Sequence, residues 1–188
     1  LHELECSACP GPGACGGQFT ANTMSTAMEC LGISIMGSSC VPATHPKKDE
    51  ICRQVGARII ELLKEDLRPD RIITRGALEN AIFSIAATGG STNGVLHLLA
   101  IAREMGVPLA LEDFDTLSGR TPLLADLKPW GRFVATDVYA AGGTALLAGR
   151  LLDAGVLNPD EMTVSGRTIA EEARAAEETP GQEVISPL

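Results

Sequence analysis

The residues best suited to chemistry lie in a segment rich in cysteine and glycine near the start of the sequence. Cys15 is followed by Gly16 and Gly17, and residues with near-helical spacing begin at Thr20. Unpaired N–H groups at a helix N-terminus favour negative charge, so Cys15 is predicted to present a thiolate suited to a soft metal or to cluster iron. Glycines beside it let the backbone approach a cluster closely and supply N–H donors to its sulfides.

The spacing of these cysteines leaves two other interpretations open. A cysteine at a helix start is also compatible with a buried, inert thiol. Cys6 and Cys9 have C-x2-C spacing and could share a zinc site with Cys15, but no second C-x2-C or His pair completes four ligands. Residue types and spacing therefore do not decide between an inert cysteine and a metal ligand.

A second candidate site is the segment Gly89-Gly90-Ser91-Thr92-Asn93. Two glycines followed by hydroxyl and amide side chains at a helix N-terminus can bind an anion, so Ser91, Thr92 and Asn93 are candidates for binding a substrate carboxylate. The alternative is that Ser91 or Thr92 only caps the helix and the glycines only end the preceding one.

The remaining candidates have simpler interpretations. His97 is expected to be a hydrogen-bonded core histidine, and His45 a helix-start residue that could border the same cleft as Cys15. Cys30, Cys40 and Cys52 are predicted to be small core residues.

The elements that must position these residues are mainly helices. The clearest amphipathic helix has the apolar face Ile51, Val55, Ile59, Leu62 and Leu63, and the helix after Asn93 is apolar on nearly every side, which predicts a central position. Short strands are expected at 107–111 and 133–135. The predicted helices are Thr20–Leu31, Lys47–Asp66, a Thr74-capped helix to Ala87, Gly94–Met105, Ala145–Ala154 and Ile169–Glu178.

Composition narrows the class of protein. The 188 residues are 45% hydrophobic and 3% aromatic, with 20 Gly and 11 Pro, which favours a helix-rich α/β domain. A net charge of −9 with scattered Lys and Arg argues against nucleic-acid binding. No apolar run is long enough to span a bilayer and the cysteines are expected to be reduced, so a cytoplasmic protein is predicted.

The run from Ala8 to Met24, which reads ACPGPGACGGQFTANTM, resembles the central cysteine motif of the dihydroxy-acid dehydratase and phosphogluconate dehydratase family. The position after the paired glycines is usually Met or a similar apolar residue in that family and is Gln18 here. Further segments follow in the family's order: 47–50, 79–81, 89–98, 120–122, 125–129 and 142–144.

The resemblance implies a fold, a cofactor and a reaction. It implies an incomplete part of the family's N-terminal α/β domain, a single unit over 1–188, with a cluster-cysteine loop at 1–18, a helical core at 19–155 and a C-terminal segment at 156–188. Cys15 would be the ligand of an iron–sulfur cluster, either 2Fe-2S or 4Fe-4S, and the family also uses Mg²⁺. The reaction would be dehydration of a 2,3-dihydroxy carboxylic acid to a 2-keto acid, as in branched-chain amino-acid biosynthesis.

Alternatives and departures accompany this resemblance. A sugar-acid dehydratase of the phosphogluconate or aldonate type, or a non-catalytic metal-binding module, would share the Cys15 motif. The family's Cys-Asp-Lys motif and its later segment with the catalytic base serine are absent from this sequence and are expected before Leu1 and after Leu188. The chain alone is therefore expected to be inactive, as part of a homodimeric parent enzyme.

Overall fold

The computed structural model describes residues 1–8 and 15–188. The described residues form nine α-helices and one 3-10 turn at Pro69–Arg71. The α-helices are α1 His2–Ser7, α2 Thr20–Leu31, α3 Lys47–Glu65, α4 Arg75–Ala87, α5 Asn93–Glu104, α6 Leu111–Ser118, α7 Ala135–Ala141, α8 Gly143–Asp153 and α9 Ile169–Arg174.

The helix-rich part of the predicted fold class is confirmed, whereas the two predicted strands are wrong. Residues 107–110 pair with no strand: the Val107 N–H donates to the Ala102 carbonyl and the Ala110 N–H to the Asp113 carboxylate. At 133–135, only Phe133 makes a bridge, with Leu127, and Ala135 already begins α7. The described residues thus contain isolated β-bridges and no strand.

The centre of the fold is α4. Its N-cap Thr74 accepts a hydrogen bond from the Ala77 N–H at 3.1 Å, as the sequence predicts. Leu78, Ile82 and Phe83 are almost fully buried, and α2, α5, α6 and α8 pack around this helix. The predicted central position of α5 is wrong, because α5 buries only one stripe.

The predicted burial of His97, which lies on α5, is also wrong. The residue lies on the exposed side of α5 and is not the predicted core histidine. An apolar sequence did not imply all-round burial here, because neighbours cover only the α5 stripe of Gly94, Leu98 and Ala102.

Two polar contacts hold α4 to other parts of the chain. Asn80 is fully buried, and its side chain accepts from the Asn158 N–H at 2.7 Å and donates to the Asn158 carbonyl at 3.0 Å. Arg75 pairs with Asp113 of α6 at 2.8 Å. These bonds fix the segment after α8 and the start of α6 against the same helix.

The helix α3 has the predicted sequence span but not the predicted burial. None of its residues is buried, and Val55, Ile59 and Leu63 are 44%, 53% and 73% exposed. The apolar face that predicts the helix therefore lies open along this surface. Among the described residues, no helix combines the length and apolar character needed to cross a membrane.

The N-terminal segment differs from the predicted loop, and the C-terminal segment joins the core. The predicted cysteine loop at 1–18 contains the short helix α1, and residues 9–14, with Cys9, lie outside the described part. From the C-terminal segment, Ile169 and Ile185 join the same core as α4. The predicted capping box at Thr168 and Glu171 is confirmed, since each residue's backbone N–H donates to the other's side chain.

Candidate functional site

Cys15 is one of the residues that line a cavity with a volume of about 370 Å³. Cys15 is half-buried, and it lies just before the turn that leads into α2. Asn22 and Thr26 of α2 line the cavity, together with Thr136 of α7 and Thr144 of α8. The predicted placement of this cysteine beside the start of a helix is confirmed.

The Asn22 side chain holds the backbone around Cys15. Its Nδ2 donates to the carbonyl oxygen of Cys15 at 2.9 Å and to that of Gly17 at 2.7 Å. The N-cap of α2, Phe19, makes no side-chain cap hydrogen bond. The start of α2 therefore binds the cysteine segment through a side chain of its own first turn.

A second set of contacts ties the same segment to residues far along the chain. The Gln18 N–H donates to the Lys128 carbonyl at 2.7 Å, and the Gly16 carbonyl accepts from the Ala135 N–H at 2.8 Å. A Cβ at Gly17 would lie 2.8 Å from the Lys128 carbonyl oxygen, so a side chain cannot fit without movement of this backbone. Glycine at this position lets residues 15–18 pack directly on the segment that leads into α7.

Gln18 lines the cavity and joins the start of α2 to the end of α4. It is 4% exposed, and its Nε2 donates to the Thr88 hydroxyl at 3.2 Å. A buried amide needs such a partner, because leaving it without one would cost about 1–3 kcal/mol. This polar residue thus has a defined partner where the family resemblance leads one to expect an apolar side chain.

The part of the cavity lining at residues 39–43 depends on a buried carboxylate that sequence reasoning missed. Glu29 is 0% exposed and accepts hydrogen bonds from the N–H groups of Gly37 at 2.9 Å and Ser39 at 2.7 Å, and from the Ser39 hydroxyl. These bonds fold residues 37–41 back over α2. A single acidic residue inside an apolar helix was the only sequence signal for this role.

The cavity is lined mainly by apolar groups, hydroxyls and amides. Lys48 is its one charged residue among the described residues that line it. The Lys48 Nζ donates to the carbonyls of Ser38 and Val41, both at 3.2 Å, so two of its three donors hold the loop. The remaining donor is available to an anion.

Cys40 also lines the cavity, with chemistry different from that expected of a metal ligand. Burial, assisted by the nearby negative charge of Glu29, raises the pKa of the Cys40 thiol to about 11. The same two causes raise the pKa of Cys30, which is buried as predicted, to about 12. Both thiols stay protonated at neutral pH, whereas Cys52 is exposed and its predicted core position is wrong.

A comparison with protein families identifies the group to which this chain is related. The family described as "Dihydroxy-acid/6-phosphogluconate dehydratase N-terminal" matches residues 1–172. The chain belongs to this dehydratase family. Cys15 and the described residues that line the cavity, apart from Ile185, therefore lie within the matched range.

Curated members of the dehydratase family agree over the whole chain. It is 62% identical over 188 residues to the dihydroxy-acid dehydratase of Koribacter versatilis, covering 100% of this chain and 33% of that protein. The dihydroxy-acid dehydratases of Roseiflexus castenholzii and Thermus thermophilus are 58% and 52% identical, again over 100% of this chain and 34% of theirs. The chain spans about a third of the length of these relatives.

The second candidate segment of this dehydratase chain lies outside the cavity lining. The Ser91 N–H donates to the Thr23 hydroxyl at 2.9 Å, and the Asn93 side chain donates to the Thr20 hydroxyl at 2.7 Å. Thr92 is exposed and makes no side-chain cap bond. These contacts join the starts of α2 and α5, and the role of Ser91, Thr92 and Asn93 in binding a carboxylate stays a prediction.

His45 occupies the helix-start position expected of it. Its Nδ1 accepts from the Lys47 N–H at 3.2 Å, and its ring packs edge-on against Tyr139 with centroids 5.2 Å apart. His45 thus supports the junction between α3 and α7.

The described residues fit the dehydratase cofactors unequally. Cys15 offers one thiol at the cavity, and Asn22, Lys128 and Ala135 hold the backbone of residues 15–18, which fits one ligand of an iron–sulfur cluster. Magnesium does not fit the described lining, which contains no Asp or Glu. Across the ranges 1–8 and 15–188, no group of three His, Cys, Asp or Glu side chains could hold a metal, and Cys6 is exposed on α1.

Proposed function

We propose that this chain supplies a cluster ligand, Cys15, and part of the substrate cavity of an iron–sulfur hydro-lyase that dehydrates a 2,3-dihydroxy carboxylic acid to a 2-keto acid. The observation that carries the proposal is the placement of Cys15 in the lining of the cavity on a backbone anchored by Asn22, Lys128 and Ala135. The names of the relatives, all dihydroxy-acid dehydratases, favour this substrate over a sugar acid.

The reaction assigns separate tasks to the cofactor and to this chain. When bound, an iron–sulfur cluster with an open iron site supplies a Lewis acid for the departing hydroxyl. The hydroxyls of Thr136 and Thr144 can donate to or accept from substrate hydroxyls, and Lys48 can attract the substrate carboxylate. The described lining contains no carboxylate or imidazole to remove the substrate proton, so the proposal assigns no base in it.

The same proposal extends to the pathway, the cell compartment, the metal and the oligomeric state of the enzyme. The reaction would serve branched-chain amino-acid biosynthesis in the cytoplasm, where thiols stay reduced, and the described cysteines all carry free thiols. We propose that the complete enzyme uses Mg²⁺ held by residues other than those of the described lining and works as a homodimer.

Anaerobic reconstitution tests the cluster ligand. The chain is incubated with ferrous iron, sulfide and excess glutathione, which supplies further thiolates, and its iron, sulfide and visible absorption are measured after desalting. We expect brown protein from the wild type and from Cys52→Ser, which changes an exposed cysteine on α3, and colourless protein from Cys15→Ser. Equal iron in Cys15→Ser and Cys52→Ser would refute Cys15 as the ligand.

Substrate titration tests the class of acid. Adding a 2,3-dihydroxy acid to the reconstituted chain is expected to change its visible and electron paramagnetic resonance spectra at lower concentration than gluconate does. The opposite order would favour a sugar-acid dehydratase.

A further inference from the structure

The carboxamide of Asn22 bonds to the backbone at the proposed ligand and at the second residue after it. One Nδ2 donates to the carbonyls of residues 15 and 17 at 2.9 and 2.7 Å, which uses both hydrogens of the amide. The backbone between Cys15 and Gly17 is thus held at two of its carbonyl groups. A single side chain therefore restrains the segment from which the Cys15 thiol extends.

The helix that carries Asn22 is itself fixed in the fold. The next residue, Thr23, is fully buried, donates to the Gln18 carbonyl at 3.2 Å and accepts from the Ser91 N–H at 2.9 Å. The opposite face of α2 packs along α4. Through Asn22, the glycine-rich segment is therefore attached to a helix that is itself fixed by packing.

Glycine makes this restraint necessary. Gly16 and Gly17 have far more backbone freedom than other residues. The bonds to Lys128 and Ala135 hold Gln18 and Gly16, whereas among the described residues only Asn22 bonds to the Cys15 carbonyl, so without Asn22 the Cys15 thiol would sample more orientations. A cluster ligand must be held in a narrow range of positions, and groups that orient a ligand affect metal retention strongly.

We propose that Asn22 is a positioning residue that holds Cys15 in the orientation needed to bind cluster iron. The proposal rests on the proposed function of Cys15 and assigns Asn22 no contact with substrate. Aspartate at this position is the sharpest probe, because it has nearly the same shape but replaces the two N–H donors with a negative oxygen that repels both carbonyls.

The test compares three variants by iron retention and by cysteine reactivity. Asn22→Asp removes the donors, Asn22→Gln retains the amide one methylene further out, and Ser25→Ala removes a polar group from the same helix. Among the described residues, the Ser25 hydroxyl bonds to none of residues 15–18. Each protein is reconstituted, challenged with an iron chelator and followed by visible absorption, and the metal-free form is alkylated with iodoacetamide and analysed by mass spectrometry at Cys15.

We expect Asn22→Asp to lose iron about tenfold faster than wild type, the usual size of such effects, with an altered electron paramagnetic resonance spectrum. Its Cys15 alkylation rate should rise severalfold, Ser25→Ala should match wild type, and Asn22→Gln should recover part of the retention. Circular dichroism checks that the variants retain wild-type helix content.

The outcomes separate this inference from the proposed function. If the wild type binds iron through Cys15 and Asn22→Asp retains it equally well, the positioning role is wrong and the function stands. If the wild type binds no iron, the proposed function is refuted and the role of Asn22 toward a cluster is refuted with it.

Discussion

The cysteines of this chain occupy surroundings that differ in ways that chemical labelling can distinguish. Cys15 is half-buried at a cavity, Cys40 lines the same cavity with its pKa raised to about 11, and Cys30 is buried with its pKa raised to about 12. Only the thiolate form reacts with an alkylating reagent. The burial that makes Cys30 and Cys40 poor ligands therefore also protects them.

Alkylation of the metal-free protein at pH 8 checks this difference. We expect Cys30 and Cys40 to react more slowly than the exposed Cys52 by roughly 100-fold or more, since raising a thiol pKa from 9.0 to about 11 or 12 lowers its thiolate fraction at pH 8 by about two to three powers of ten. Site-resolved mass spectrometry over time gives the rates. Modification of Cys40 as fast as Cys52 would show that the raised pKa is wrong.

At the scale of the elements, local signals predict where helices begin and end but not which faces are covered. Thr74 and Gly32 mark helix ends because capping depends on a few neighbouring residues, and Gly32 adopts the expected left-handed conformation with φ 89°. The apolar face of α3 depends instead on distant packing, which no local pattern contains. The contact from residues 15–18 to Lys128 and Ala135 was equally inaccessible to sequence reasoning.

Two leucines, one buried and one exposed, test whether the apolar face of α3 contributes to stability. Leu31 at the end of α2 is 1% exposed, and Leu63 on α3 is 73% exposed. We expect Leu31→Ala to lower the free energy of unfolding by about 3 kcal/mol and Leu63→Ala by less than about 0.5 kcal/mol. Urea denaturation followed by circular dichroism measures both, and equal losses would mean that the α3 face is covered.

The ion pair between α4 and α6 gives a stability that depends on pH. Hydrogen bonds from Arg75, and then from the Ala110 N–H, lower the pKa of Asp113 from 3.8 to about 2. A carboxyl with a lowered folded-state pKa stabilises the fold fully above pH 4, and the contribution is lost as the pH falls toward 2.

Asp113→Asn should therefore lower the free energy of unfolding by about 1 kcal/mol at pH 7, a value reduced by solvent screening of this partly exposed pair. The difference from wild type should shrink as the pH falls from 4 to 2. Denaturation curves across this range measure it, with Asp115→Asn on the same helix as the control. A difference that stays constant down to pH 2 would contradict the ionic origin of the effect.

For the whole molecule, the sequence motif located the proposed ligand, while the completeness of the site had to be judged from the folded chain. Cys15 was recognisable because its glycines and the following helix are adjacent in sequence. The cavity wall combines residues from Cys15 to Ile185, so its lack of carboxylates and imidazoles among the described residues emerges only when those segments are brought together. The catalytic capacity of the chain therefore depends on which groups surround the substrate.

The described cavity lining contains no carboxylate or imidazole that could remove a carbon-bound proton, and the Lys48 Nζ donates to the loop carbonyls of Ser38 and Val41. We therefore expect no 2-keto acid from the reconstituted chain with a 2,3-dihydroxy acid and Mg²⁺, even when its spectrum responds to the substrate. Coupled assay of the keto acid with lactate dehydrogenase or derivatisation with a hydrazine provides the measurement, and a full-length dihydroxy-acid dehydratase prepared in the same way is the positive control. Turnover that disappears in Cys15→Ser would show that this chain contains its own base, and would shift the search to the hydroxyls of Thr136 and Thr144.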